Sequence, residues 1–220
     1  MKFPRGPVTN ALVVINVVIA AVLLVPVWWQ QAVVSGGLFP VRLSGDSSAF
    51  AHAGFLVPAF LTPLTAAFLH GGIAHLLLNM LMLLLIGKMV ERVLGGGLYL
   101  GLYLFGAYAA AGGEWLAAVM KWPMSVDMMA PAIGASGAIA AVIGAYVLLF
   151  PNQQPKPWGP IPANIARPLH LTIAWVGLNL AMGFVGPGLG IGIAIWSHIG
   201  GFIVGLLLAR PLLLWRYRKA

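Results

Sequence analysis

The chain has 220 residues, of which 61% are hydrophobic and only 7% are charged. Water-soluble domains hold about 45–50% apolar and about 25% charged residues, so this composition excludes a soluble globular fold and a disordered chain. The net charge of +8 does not indicate nucleic-acid binding, because the basic residues cluster near the ends of hydrophobic segments, and the absence of cysteine excludes disulfides and thiol chemistry.

Six hydrophobic segments are long enough to cross a bilayer as helices. A helix rises about 1.5 Å per residue, so about 20 apolar residues span a hydrocarbon core of about 30 Å. In chain order, the predicted spans are residues 11–31, 72–91, 97–119, 134–150, 169–187 and 191–209. The proline-rich connection 151–168 is predicted to be extended. We therefore expect an all-α polytopic membrane protein, a six-transmembrane-helix bundle forming a single domain over residues 1–220.

Lys and Arg are distributed unevenly between the two sides of this topology. Ten lie in the N-terminus, the second and fourth connections and the C-terminal tail, whereas only Arg42 and Lys121 lie in the other connections. Because basic residues are enriched on the cytoplasmic side, we expect both termini to be cytoplasmic. The compact form favours a prokaryotic inner membrane. The first span could instead be a cleaved signal peptide, but it is too long and lacks a clear cleavage site.

Three of the predicted spans carry polar side chains at about the same depth. They are His75 and Asn79 in the second span, Ser136 in the fourth and His198 in the sixth. Counted from the predicted cytoplasmic ends, Asn79, Ser136 and His198 lie roughly 18–22 Å above the inner boundary. Polar groups are costly in hydrocarbon, so their shared depth indicates that they meet in one site.

Small residues indicate that the fourth and sixth spans pack closely. One face of the fourth span carries Ser136, Ala140 and Gly144, and one face of the sixth carries His198, Gly201 and Gly205. Faces of this kind let two helix backbones approach each other. We therefore expect these faces to meet and to bring Ser136 next to His198.

A serine hydroxyl beside an imidazole predicts acyl transfer. Serine is a weak nucleophile at neutral pH and needs a neighbouring base to take its proton. The tetrahedral intermediate then needs hydrogen-bond donors, which the Asn79 amide, the His75 imidazole and the Ser136 backbone N–H at a helix start could supply. Gly134 and Gly137 flank the serine and permit a tight turn and an open approach for a substrate backbone.

No acidic residue is an evident third member of this site. The four acids are Asp46, Glu91, Glu114 and Asp127. We expect a Ser–His dyad, with Glu114, near the outer end of the third span, left open as a partner of His198. The sequence lacks an H-E-x-x-H helix, an Asp within a span and a nucleotide-binding loop, so neither a metal nor a cofactor is expected.

Four motifs carry these residues: HGGIAHLLLN at 70–79, ERVLG at 91–95, GASG at 134–137 and HIGGFIVG at 198–205. In this order they resemble the rhomboid family of intramembrane serine proteases, over roughly residues 55–210. The resemblance implies that Ser136 is the nucleophile and His198 the base, that His75 and Asn79 line the oxyanion hole, and that Glu91 is structural. It also implies a serine endopeptidase that cleaves transmembrane substrates near the outer membrane face without a metal or cofactor.

The sequence departs from the family pattern at two places. Many members carry an aromatic residue one turn after the serine, stacked on the catalytic histidine, whereas this chain has Ala140. Another residue must therefore orient the imidazole, or the dyad is looser. The Trp-Arg pair often found in the first outer loop is not recognisable, because residues 60–65 read FLTPLT. Neither departure removes a group needed for catalysis.

The connection between the last two spans is rich in glycine, at Gly183, Gly186, Gly188, Gly190 and Gly192. Glycine allows backbone motion, so this segment is predicted to act as a gate over the site. An ordinary short turn, with glycine serving only packing, is the alternative.

Other functions remain open. Ser136 taken alone could serve helix packing, and His75 with Asn79 could join helices by hydrogen bonds. His198 could relay protons in a small transporter, and a rhomboid-like chain could be inactive and bind membrane client proteins. The expected partners are transmembrane protein substrates and the lipid bilayer, with no nucleic acid. The oligomeric state is not determined by the sequence.

Overall fold

The computed structural model describes residues 5–52, 55–150, 157–186 and 192–218, and these ranges are helical apart from their connections. The α-helices are α1 Pro7–Val22, α2 Pro26–Gly36, α3 Pro40–Leu43, α4 Thr62–Ala66, α5 Ile73–Met82, α6 Lys88–Leu94, α7 Gly96–Val119, α8 Ser136–Leu149, α9 Ala163–Val185 and α10 Ile195–Arg216. A π-helix, Leu83–Gly87, joins α5 to α6, and 3-10 turns cover Ser48–Phe50 and Ala59–Leu61. The described ranges contain isolated β-bridges but no β-strand.

Three helices in the described part of the chain are long and apolar enough to cross a membrane. They are Ile73–Leu94, Ile165–Val185 and Ile195–Arg216. The helices α1 and α8 are also apolar but shorter. Large apolar side chains such as Phe184 and Leu207 are exposed on the outside of the bundle, as expected for surfaces that face lipid. The expected all-helical membrane fold is therefore present.

The first predicted span, residues 11–31, is not one helix. The helix α1 ends at Val22, and α2 begins at Pro26 after a short break. Proline has no backbone N–H to donate and its ring clashes with the preceding turn, so it is favoured at the first position of a new helix. Hydropathy does not register this break, because both sides of Pro26 are apolar.

The last two predicted spans are longer than expected. The helix α9 begins at Ala163 rather than at residue 169, so the predicted extended connection is shorter, and residues 151–156 of it lie outside the described residues. The helix α10 continues to Arg216, past Pro211. Pro168 lies inside α9 in the same way. Residues 187–191, at the centre of the predicted gate, also lie outside the described residues.

The helix α8 lies at the centre of the bundle, against α7 and α10. Nearly all of its side chains from Gly137 to Ala145 are buried. A side chain at Gly201 of α10 would collide with the carbonyl oxygen of Gly137, and one at Gly205 would collide with that of Ala141. Small residues therefore let the backbones of α8 and α10 touch, as the sequence predicts.

Glu91, in the middle of α6, joins this helix to the start of α1. Its carboxylate accepts hydrogen bonds from the backbone N–H groups of Val8 and Thr9, at 2.9 and 2.8 Å, and from the Thr9 hydroxyl at 2.7 Å. The first N–H groups of a helix lack intrahelical partners, and a carboxylate is favourable at this end of the helix dipole. Glu91 therefore has the structural contacts that the resemblance implies.

Candidate active site

Ser136 and His198 meet between α8 and α10. The Ser136 Oγ lies 2.8 Å from the His198 Nε2, across 62 residues of sequence. Both side chains are half-buried. The hydroxyl is thus within hydrogen-bonding distance of a group that can accept its proton.

Ser136 is the first residue of α8, and the segment before it is held by two backbone hydrogen bonds, one to a residue between α2 and α3 and one to the end of α4. The Ala132 N–H donates to the Leu38 carbonyl at 2.8 Å, and the Gly134 N–H donates to the Ala66 carbonyl at 2.9 Å. Because Ser136 begins a helix, its own N–H has no partner in the preceding turn and is available to a ligand.

Gly134 is required by both its backbone and its surroundings. Its φ of +120° lies in a region that other residues rarely adopt. A Cβ atom at this position would lie 2.7 Å from both Cε1 and Nε2 of His75 and 3.7 Å from the Ser136 Oγ. The absence of a side chain therefore lets the His75 ring reach the space beside the serine.

His75 is oriented by a backbone contact within its own motif. The Gly71 N–H donates to the His75 Nδ1 at 3.3 Å. A ring nitrogen that accepts a hydrogen bond carries no proton, so in neutral His75 the proton lies on Nε2. That Nε2–H group is on the side of the ring that faces Gly134 and Ser136. His75 thus presents a donor to the site.

Asn79 lies one turn after His75 on α5 and is 6% exposed. One of its amide N–H groups donates to the backbone carbonyl of His75 at 2.8 Å. The side-chain amide has two N–H groups, so one remains for another acceptor. The structure therefore places the two predicted oxyanion residues on one helix, with the His75 ring next to Gly134.

Asn179 of α9 is a site residue that the sequence analysis did not single out. Its Oδ1 lies 2.6 Å from the His198 Nδ1, and its Nδ2 donates to the Trp175 carbonyl at 2.8 Å. The available signal was the one used for Asn79, an amide within a predicted span.

A second residue in the same region, Ala140, is fully buried and gives the imidazole no aromatic surface.

Glu114 is not the partner of His198. Its two carboxylate oxygens accept from the backbone N–H groups of Val126 at 3.0 Å and Ser197 at 2.9 Å. Ser197 lies in the first turn of α10, so Glu114 caps the helix that carries His198. Glu114, which the sequence left open as a partner of His198, therefore caps α10 instead.

Arg42 holds together the segment that precedes α4. Its guanidinium donates to the carbonyls of Ser35, at 3.2 Å, and Val57, and its Cζ lies 5.5 Å from the centre of the Phe50 ring. Burial lowers the pKa of Arg42 from its ordinary value, but a guanidinium remains charged at neutral pH. This arginine therefore anchors the segment between α2 and α4.

A small cavity opens beside Ser136. Its walls are mostly short apolar side chains and glycine, among them Ala67, Ala110, Ala132 and Gly137. Such walls leave room for a small side chain and exclude a large one. Within the described ranges, no group of three or more His, Asp or Glu residues is placed to hold a metal ion.

Comparison with known proteins identifies the family. A family model described as Rhomboid domain matches residues 58–215. RHOMBOID-like protein 4 of Arabidopsis thaliana is 35% identical over 153 residues, which are 69% of this chain and 34% of that protein. Rhomboid protease GluP of Bacillus subtilis is 33% identical over 149 residues, 68% of this chain and 25% of that protein.

Rhomboid protease GlpG of Pectobacterium atrosepticum is 28% identical over 213 residues, which are 95% of this chain and 64% of that protein. The chain spans about a third of RHOMBOID-like protein 4 and a quarter of GluP. The Rhomboid domain match covers more than half of the chain. With its membrane-spanning helices and this match, the chain is an integral membrane protein that belongs to the rhomboid family.

Proposed function

We propose that this protein is an intramembrane serine endopeptidase, with Ser136 as the nucleophile and His198 as the general base. The observation that carries the proposal is the 2.8 Å contact between the Ser136 Oγ and the His198 Nε2, made by two separate helices. Family membership and the protease relatives GluP and GlpG support the same activity.

The reaction proceeds through an acyl-enzyme. His198 Nε2 takes the hydroxyl proton of Ser136 as the Oγ bonds to the substrate carbonyl carbon, giving a tetrahedral oxyanion. The C–N bond then breaks, and the imidazolium returns its proton to the leaving amine. Water attacks the ester with His198 again taking a proton, and the acid product leaves as that proton returns to the Ser136 Oγ.

The oxyanion is stabilised by three donors. The His75 Nε2–H faces the serine, and the Ser136 N–H is free at the start of α8. The second amide N–H of Asn79 completes the set. Fixed donors of this kind stabilise the charge that develops in the transition state, and each contributes about 3 kcal/mol where measured.

The substrate is a transmembrane protein whose backbone unwinds at the site. Unwound backbone inside a bilayer needs hydrogen-bond partners, which only protein or water can supply there. The segment that precedes Ser136 is itself non-helical backbone, held by the Leu38 and Ala66 carbonyls. Non-helical protein backbone beside the serine supports recognition of an unwound substrate segment near the outer membrane face.

The proposed topology has six spans, made by α1, α5 with α6, α7, α8, α9 and α10, and two cytoplasmic termini. The distribution of Lys and Arg supports this orientation. The helix α8, with only 14 residues, is about 21 Å long and does not cross the hydrocarbon alone, so Ser136 lies below the outer surface. Reporter fusions to each terminus test the orientation. A reporter that is active on the outer side of the membrane, at either terminus, would contradict it.

The test of function is cleavage of a transmembrane substrate in proteoliposomes. Wild-type protein is expected to cleave, whereas Ser136→Ala and His198→Ala are not. A fluorophosphonate probe is expected to label the wild type and not Ser136→Ala. Absence of both cleavage and labelling in folded wild type would favour an inactive client-binding member, and proton-coupled flux that survives Ser136→Ala would favour a transporter.

A further inference from the structure

We propose that Asn179 is the positioning residue for His198, and that its amide oxygen holds the imidazole in the one tautomer that can act as a base toward Ser136. This inference rests on the proposed function, because it concerns the same reaction. Its starting point is the 2.6 Å contact between the Asn179 Oδ1 and the His198 Nδ1.

The orientation of the Asn179 amide is determined by a second contact. The Nδ2 group donates to the backbone carbonyl of Trp175 at 2.8 Å. A carbonyl oxygen can only accept, so the NH₂ group must face Trp175 and the Oδ1 must face His198. Reversing the amide would place two acceptors against each other at Trp175, so the network itself fixes the assignment.

The amide orientation in turn determines the tautomer of His198. The Oδ1 can only accept, so the His198 Nδ1 must carry the proton that joins them. A neutral imidazole has one N–H, and its other nitrogen is then a free acceptor. That nitrogen is Nε2, which lies 2.8 Å from the Ser136 Oγ. The Trp175 carbonyl, Asn179, His198 and Ser136 therefore form one chain of hydrogen bonds with a single direction.

The described surroundings offer no aromatic ring stacked on His198. Ala140 stands where an aromatic residue would stack. The Trp175 ring is 6.4 Å from His198 and tilted by 45°, and it stacks on Phe202 instead. The hydrogen bond from Asn179 thus supplies the orientation that a stacked ring would otherwise give.

The burial of Asn179 also sets it apart from the rest of α9. Of the α9 side chains that the structure describes, only Ala166 and Asn179 are buried. Asn179 is 5% exposed, in the middle of a long apolar helix. A buried amide is unfavourable in such a helix unless it is satisfied, and here both of its polar atoms are used.

A simpler role for Asn179 is to fasten α9 to α10, and two variants separate the roles. Asn179→Leu has a similar size but no acceptor, whereas Asn179→Asp keeps an oxygen that can accept from the His198 Nδ1. We expect Asn179→Leu to lower kcat about tenfold or more while KM stays within about twofold, since the base is affected and binding is not. Asn179→Asp is expected to recover much of the loss.

Asn16 of α1 provides a matched control. Its Nδ2 donates to the Leu12 carbonyl at 2.8 Å, the same four-residue contact that Asn179 makes, and it is fully buried. Asn16→Leu therefore removes a comparable helix contact outside the site and is expected to leave kcat unchanged. If Asn179→Leu does not fold, Asn179→Ala makes the same comparison, with thermal unfolding in detergent reported for every variant.

A spectroscopic measurement is independent of protease activity. In ¹⁵N-histidine-labelled protein carrying Ser136→Ala, the His198 resonances are expected to show a protonated Nδ1, and adding Asn179→Leu is expected to shift proton density to Nε2. This tautomer shift, combined with a wild-type protein that does not cleave, would sustain the positioning role and reject the protease. Serine-dependent cleavage in which Asn179→Leu changes neither kcat nor the tautomer would overturn the positioning role alone.

Discussion

Gly201 of α10 lies so close to the carbonyl oxygen of Gly137 of α8 that no side chain fits between them. This contact is one turn from His198 on one helix and one residue from Ser136 on the other. The distance between hydroxyl and imidazole thus depends on two backbones that touch.

Replacing Gly201 with alanine should separate the two helices. The added Cβ would collide with the carbonyl oxygen of Gly137, which belongs to the helix backbone, and overpacking of this kind costs about 1–3 kcal/mol. We expect lower thermal stability and a loss of cleavage. Gly112→Ala, at an exposed α7 position with open space around it, is the control and should be neutral or slightly stabilising. Full activity of Gly201→Ala would contradict the close packing.

Replacing Gly134 with alanine should displace His75. The new Cβ would lie 2.7 Å from the His75 ring, and the backbone φ of +120° would be strained. We expect kcat to fall by about 100-fold or more, because one oxyanion donor is moved. Kinetics should be compared with Gly159→Ala, which also has a positive φ but has open space around it and lies away from the site. Equal effects of the two variants would argue against the assigned role of His75.

Replacing Arg42 with methionine should loosen the segment between α2 and α4. The substitution leaves the Val57 carbonyl without its donor, at a cost of about 1–3 kcal/mol if that carbonyl stays buried, whereas the Ser35 carbonyl keeps its hydrogen bond from the Val57 N–H. Because this segment also holds the residues before Ser136, we expect thermal stability and kcat to fall together. Lys121→Met, at an exposed position, should change neither. An Arg42→Met protein with wild-type unfolding would exclude the anchoring role.

The cavity beside Ser136 should favour substrates with a small side chain at the residue that supplies the scissile carbonyl. Its walls include Ala67, Ala110 and Ala132, which leave little space. We expect kcat/KM to be higher for alanine than for phenylalanine at that residue, by about tenfold or more, since overfilling a packed site costs over 1 kcal/mol. Substrates that differ only at this residue provide the measurement. The comparison changes only the substrate, so it needs no variant of the protein with an enlarged cavity.

Local sequence patterns were sufficient for the membrane class and for most helices. Hydropathy and segment length located three spans to within a few residues, namely α5 together with α6, then α7, then α8. Hydropathy succeeds here because it depends only on residues that are neighbours in the sequence. The break at Pro26 and the continuation of α10 past Pro211 were not predicted. Both prolines lie in apolar sequence, and whether a helix tolerates proline depends on what surrounds it.

For the candidate site, the sequence by itself determined which polar residues lie at a common depth. These residues stand out because polar side chains are costly in hydrocarbon and are rare there. Only the tertiary structure decided that the His198 Nδ1 bonds Asn179 rather than Glu114. That choice depends on which faces of α7, α9 and α10 turn toward one another. A helix face is readable from spacing, but its partner is set by packing between segments far apart in the chain.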